Sequence, residues 1–161
     1  MRLGHIKRLL MCERVHNGLT NPRTNRKERK MNTSMNLGKR FELLCMADIQ
    51  HYIMENGILG QIYTPIVDDS GIDFAIRMAN GKYIEIQAKA RAEKRLFTID
   101  AFTARPNYWF IFYCKNTKGD YDRYILSSKE VAKALTKNNH LTITKDMDKY
   151  SKRDFDYILH A

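Results

Sequence analysis

Between Gly71 and Ala90 the chain reads GIDFAIRMANGKYIEIQAKA, and four of its polar residues, Asp73, Glu85, Gln87 and Lys89, are of types suited to phosphate chemistry. A carboxylate and an amide carbonyl on neighbouring strands offer oxygen ligands to a hard divalent cation such as Mg2+. Such a cation polarises a phosphate and lowers the pKa of a bound water. A lysine two residues along the same strand adds a point charge that orients the water or steadies charge as it develops. Phosphodiester hydrolysis needs this set of parts.

Whether the four residues meet depends on strand register. Asn80-Gly81 invites a two-residue type I′ turn. That turn would set Asp73 opposite Ala88, Ile72 opposite Lys89 and Ile76 opposite Glu85, mixing apolar and polar on both faces. A three-residue loop, Ala79-Asn80-Gly81 with Gly81 left-handed, shifts the pairing by one. Ile72 then opposes Ala88, Phe74 opposes Ile86 and Ile76 opposes Ile84, so the apolar side chains share one face. The same register puts Asp73 across from Gln87, with Glu85, Gln87 and Lys89 together on the other face. The second register is the expected one.

The elements that must position this hairpin can be read on either side of it. Phe41, Leu44, Cys45, Ile49, Tyr52 and Ile53 recur at helical spacing and predict a helix from about Gly38 to Glu55, stopped by Asn56-Gly57. Glu42 stands near its start. LGQIYTPIV predicts a first strand, with Pro65 marking an edge or bulge. Asp68 and Asp69 read as turn formers. RLFTIDA reads as a short strand, FTARPN as a loop or short helix, and YWFIFYC as a strand covered on both faces. YDRYIL follows as a strand, then KEVAKALTK as a helix capped by Ser127 or Ser128. A short strand and an undefined terminal element close the chain.

This arrangement resembles the PD-(D/E)xK nuclease superfamily, in its Holliday-junction-resolvase and restriction-enzyme-like branch. The resemblance covers roughly Gly38 to Leu135. GID supplies Asp73 as the metal-binding acid, and QAK stands where the family has (D/E)xK, with Gln87 as middle ligand and Lys89 as catalytic lysine. GKRFELL resembles the preceding helix, whose Glu42 would reach the metal directly or through water. Two features depart from the pattern. Pro65 is not adjacent to Asp73, and Gln87 is neutral, which removes a charge that Glu85, on the same face, would restore. The resemblance implies a restriction-endonuclease-like α/β fold, a central mixed β-sheet flanked by helices, in the order α-β-β-β-(β/α)-β-β-α. It also implies a Mg2+-dependent endonuclease, with Mn2+ as substitute, acting on DNA. Lys82, Arg91, Lys94 and Arg95, near the hairpin ends, would contact phosphates. Cutting both strands of a duplex needs two sites, which a homodimer would supply.

A plainer reading makes Glu85 and Lys89 a solvated strand face paired with Arg77, and Glu42 a complement to the helix dipole. Its functional counterpart is a catalytically degenerate module that binds nucleic acid or a protein partner without cutting.

The formal charge of the 161-residue chain is +10, unevenly placed. Residues 1–40 carry 11 Lys+Arg against 2 Asp+Glu, and the rest of the chain carries 17 against 16. Residues 1–35 therefore read as a basic arm, weakly helical over GHIKRLLMCERVH and then a linker, with a nuclease-like domain over 36–161. Such an arm neutralises phosphates, or is a solvated, disordered leader, or lies upstream of a later true start at Met31 or Met35. Cys12, Cys45 and Cys114 are too few and too scattered for a disulfide framework or a zinc site. No apolar run is long enough to span a bilayer, and no secretory signal is evident, which predicts a soluble cytoplasmic protein.

Overall fold

The computed structural model describes residues 24–65, 71–92 and 95–160, with side chains in these segments from residue 36 onward. The weakly helical start, Cys12, Asp68, Asp69 and Lys94 lie outside the described residues. One long helix, α1 (Thr24–Glu55), comes first. It begins fourteen residues before the expected start at Gly38, so the linker reading fails over 24–35. The reason is local. This stretch is rich in Lys, Arg, Glu and Met, straight-chain residues that lose little rotamer freedom in a helix. Once the docked turns have met the cost of nucleation, propagation upstream needs no buried face. Phe41, Cys45, Ile49 and Ile53, each four residues apart, form the buried stripe. Leu44 was expected in that stripe but lies off its axis and is 44% exposed. Gly57, at φ +62°, ends the helix as expected, and the Ile58 N–H donates to the Ile53 carbonyl at 2.9 Å.

The stripe docks on a five-stranded mixed sheet. Its strands are β1 (Gly60–Tyr63), β2 (Phe74–Met78), β3 (Tyr83–Arg91), β5 (Tyr108–Lys115) and β6 (Tyr121–Ser127), in the order β1-β2-β3-β5-β6. Strand β4 (Leu96–Thr98) pairs instead with β7 (His140–Thr142) in a separate two-stranded ribbon. Within the large sheet only β3 and β5 run parallel. The fold is α/β, a central mixed sheet flanked by helices, as the sequence led one to expect. β1 is an edge strand, consistent with the nearby Pro65.

β5 is buried from Tyr108 through Cys114, as its unbroken apolar run requires. Its side chains alternate between two cores. Trp109, Ile111 and Tyr113 join Phe74, Ile76, Ile84, Ile86 and the α1 stripe. Tyr108, Phe110, Phe112 and Cys114 join Phe97, Ile99, Leu126, Val131 and Leu141 under β4, β7 and α2 (Ser128–Ala134). Cys45 and Cys114 are buried free thiols, as expected.

Ser127 caps α2 through a complete capping box. Its hydroxyl accepts from the Glu130 N–H at 3.3 Å, while its own N–H donates to Glu130 Oε2 at 2.8 Å. The terminal element resolves into a 3-10 turn (Lys145–Met147) and two one-turn helices, α3 (Asp148–Ser151) and α4 (Asp156–Leu159). Phe155, Ile158 and Leu159 return to the α1 core, while Met147 seals the other.

Candidate active site

The hairpin that carries the site has the register that segregates its faces. Phe74 pairs with Ile86, Ile76 with Ile84 and Arg77 with Tyr83. The loop is Ala79-Asn80-Gly81, closed by the Met78 N–H donating to the Lys82 carbonyl at 2.8 Å, with Gly81 at φ +81°. A side chain at Gly81 would meet nothing within 4 Å, so the left-handed backbone is what favours glycine there.

The ladder ends at the Phe74–Ile86 pair, one residue short of the expected Asp73–Gln87 pair. Asp73 leaves it in a particular way. Its N–H donates to the Ile86 carbonyl at 2.9 Å, and its carboxylate Oδ2 accepts from the Ala88 N–H at 2.6 Å. In a continued ladder that N–H would face the Ile72 carbonyl, so here a side chain replaces backbone. Ile72 was expected on the face of Phe74 and Ile76; freed from the ladder, it packs on the opposite core. The result is a carboxylate held against residue 88, whose chain neighbours are Gln87 and Lys89.

Gln87 is 7% exposed. The Tyr108 hydroxyl lies 3.2 Å from both Gln87 Oε1 and the Gly71 carbonyl. Burial pushes that hydroxyl's pKa up to about 12, against the pull of Arg105 and with Asp73 and Glu85 adding to the rise, so it remains a neutral donor. Gly71, at φ +66°, lets the chain pass close over this amide: a Cβ there would stand 3.1 Å from Gln87 Nε2.

Glu85 shares the face of Gln87 but is engaged elsewhere. Its Oε2 accepts from Arg105 Nε at 2.6 Å and lies 2.5 Å from Arg105 Nη2. Ala75, not Arg77, is its cross-strand neighbour, so the plain pairing of Glu85 with Arg77 does not form. The buried Ser128 hydroxyl anchors Arg105, accepting from its N–H at 3.1 Å and donating to its carbonyl at 2.7 Å. The guanidinium lies 4.5 Å over the Tyr108 ring. Arg105, Tyr108 and Ser128 are the site neighbours that sequence reasoning missed. A lone arginine in a loop carries no periodicity, and the β3–β5 pairing that brings Tyr108 beside Glu85 is non-local.

Lys89 stands beside Phe112 of β5, its side chain 22% exposed and its Nζ 3.8 Å from Asp100 Oδ2. Asp100 is 87% exposed, so solvent screens this pair and it holds Lys89 only weakly. On α1, Glu42 bonds to Lys39 at 2.7 Å, and α1 covers the opposite sheet face from Gln87. Among the described residues no three of His, Cys, Asp and Glu gather where they could hold a metal ion. Glu42, Asp73 and Glu85 therefore form no three-carboxylate cage.

The nominated phosphate contacts are spread out. Lys82 lies at the hairpin turn and Arg91 at the far end of β3, roughly 30 Å apart at strand rise. Arg91 is exposed, whereas Arg95 lies 3.5 Å from Asp122 and over the Tyr124 ring.

What remains is one carboxylate, Asp73, and one amide oxygen, Gln87 Oε1, which the Tyr108 hydroxyl engages in this structure. Both are oxygen donors of the hard type that Mg2+ takes, the rest of its shell being substrate phosphate and water. Glu85 does not fit as a ligand while Arg105 holds it. No protein-family model, curated protein or solved structure matches the chain.

Proposed function

We propose that the chain is a Mg2+-dependent nuclease, with Mn2+ as substitute, that hydrolyses DNA phosphodiester bonds at a PD-(D/E)xK-like site built from Asp73, Gln87 and Lys89. The observation that carries this reading is the 2.6 Å bond from the Ala88 N–H to Asp73, which holds the acid beside the QAK strand. Asp73 and Gln87 are the metal-holding residues. When bound, the metal polarises the phosphate and acidifies a water.

The chain's own groups do the rest. Asp73 is oriented by a charge-assisted backbone bond, which fixes its carboxylate before substrate arrives. Gln87 offers its oxygen once its amide turns over. A hydroxyl has one proton, so Tyr108 then donates to Gly71 and accepts from Gln87 Nε2, and all three groups are satisfied. Lys89 exchanges its weak hold on Asp100 for the reacting phosphate or the attacking water. Arg105 keeps Glu85 neutralised, so that carboxylate does not repel the phosphate.

A second reading has its own support: Asp73, Gln87 and Glu85 each have a structural partner in the folded chain. On that reading the chain is a nuclease-like module that binds nucleic acid or a protein partner and does not cut. Incubation with plasmid, single-stranded and branched DNA in Mg2+, Mn2+ or EDTA separates the two. The nuclease reading expects metal-dependent cleavage that falls on the order of a hundredfold or more in Lys89→Ala, with binding nearly intact. Binding without cleavage of any form supports the module.

A further inference from the structure

Among the described residues, the polar face of the sheet is open over β1, β2 and the start of β3. Three cross-strand rows can be followed on it. Gln61, Arg77 and Tyr83 form the first, Tyr63, Ala75 and Glu85 the second, and Gln87 begins the third. The reverse face of the same strands is closed by α1, while β4, β7 and α2 pack with β5 and β6. Tyr83 is accordingly 53% exposed and Tyr63 46%, with Gln61 and Arg77 also exposed. Ala75 leaves a shallow floor between them. The Tyr63 hydroxyl donates to Gln61 Oε1 at 2.7 Å, a bond between same-face neighbours of one strand that holds the ring along the sheet.

We infer that this face is a docking track for single-stranded nucleic acid, whose bases stack on Tyr63 and Tyr83 and whose phosphates meet Arg77 and Lys89. The inference rests on the nuclease reading for its direction, since Tyr83, Glu85, Gln87 and Lys89 all face the same way along β3. A strand lying on the tyrosines thus points toward Lys89, about 20 Å along at strand rise, past Gln87, which the Gly71 backbone covers. Charge selects the occupant. The acid on the track, Glu85, is neutralised by Arg105, leaving Arg77 and Lys89 to set a cationic surface. Exposed aromatic rings among arginines suit an unpaired strand, whose bases present their faces; a duplex hides them.

The test is binding of a labelled single-stranded oligonucleotide and of its duplex, in EDTA so that nothing is cut. The wild type is expected to prefer the single strand. Tyr63→Ala and Tyr83→Ala should each weaken that binding about tenfold, with duplex binding unchanged. Tyr83→Phe, which keeps the ring, should bind as wild type. Arg77→Ala should lower the slope of log affinity against log salt by about 0.7. Melting temperatures matching wild type confirm that the variants are folded. Equal binding by wild type and the double tyrosine variant, or wild type binding no nucleic acid, overturns the track. Cleavage assays separate this outcome from the site's. A double variant that cuts and binds like wild type sinks the track and spares the nuclease. A track that binds and never cuts does the reverse.

Discussion

Asp73 has two tasks that a substitution can separate. Its carboxylate closes the hairpin by accepting from the Ala88 N–H, and it is the charged ligand of the proposed site. Removing the side chain strands a backbone donor as well as a charge, so loss of activity in Asp73→Ala would not distinguish the tasks. Gln87 poses the complementary case. Gln87→Glu puts a carboxylate in a site only 7% exposed, near Asp73 and Glu85, where burial and like charge both oppose ionisation. The metal-free variant should melt below wild type, and saturating Mg2+ should raise its melting temperature more than it raises that of wild type. Calorimetry with and without Mg2+ checks this; a variant indifferent to Mg2+ removes Gln87 from the metal site. That Gln87 and Lys89 share one face of β3 was legible, because a period-two pattern sorts side chains by face; the departure of Asp73 from the ladder was not. Tyr108, the partner of Gln87, and Arg105, the partner of Glu85, were not legible either, because they arrive through a parallel crossover and a loop.

The hairpin was the most legible element, since one register alone separated its apolar from its polar residues and Gly81 supplied the left-handed residue that register needs. The α2 cap was legible for a similar reason: Ser127 and Glu130 stand at capping-box spacing. The start of α1 was not, because lysine- and arginine-rich sequence suits a solvated helix and a linker equally. The terminal helices, too short for a periodic signal, are held by Arg153. Its guanidinium donates to both Glu130 oxygens at 2.7 and 2.8 Å and to the Ile125 carbonyl at 3.0 Å, and it packs against Tyr150 and Tyr157. Burial alone would raise the Glu130 carboxyl, but bonds from Arg153 and from the Ser127 backbone and hydroxyl outweigh it and hold the pKa at about 2. A carboxyl held low in the folded state stabilises the fold above its unfolded value. That contribution is lost as pH falls from the ordinary 4.5 towards about 2. Arg153→Ala should cost about 2 kcal/mol at neutral pH. It should also flatten the loss of stability across that acid window, as urea unfolding at pH 7, 4 and 3 would show. A variant with the wild-type acid profile would contradict this role for the pair.

At the scale of the whole molecule, charge and core are divided along the chain. The described cores draw on residues from Leu37 to Leu159, whereas residues 1–40 carry 11 of the 28 Lys+Arg. Deleting residues 1–23 should leave a cooperatively melting domain and reduce both DNA affinity and its salt dependence, checked by melting and by binding at several salt concentrations. Loss of folding would show that these residues complete the core. No helix among the described residues is long and apolar enough to cross a membrane. The central claim, that the acid beside the QAK strand serves metal-dependent phosphodiester hydrolysis, is tested most directly by Asp73→Asn. The amide keeps an oxygen to accept from the Ala88 N–H and loses only the charge. The measurement is cleavage of plasmid, single-stranded and branched DNA in Mg2+ by wild type and Asp73→Asn, matched for melting temperature. The account predicts cleavage by wild type that EDTA abolishes, and none by the folded Asp73→Asn protein. Cleavage by Asp73→Asn at the wild-type rate, or a wild type that cuts no form of DNA in any metal, would contradict it.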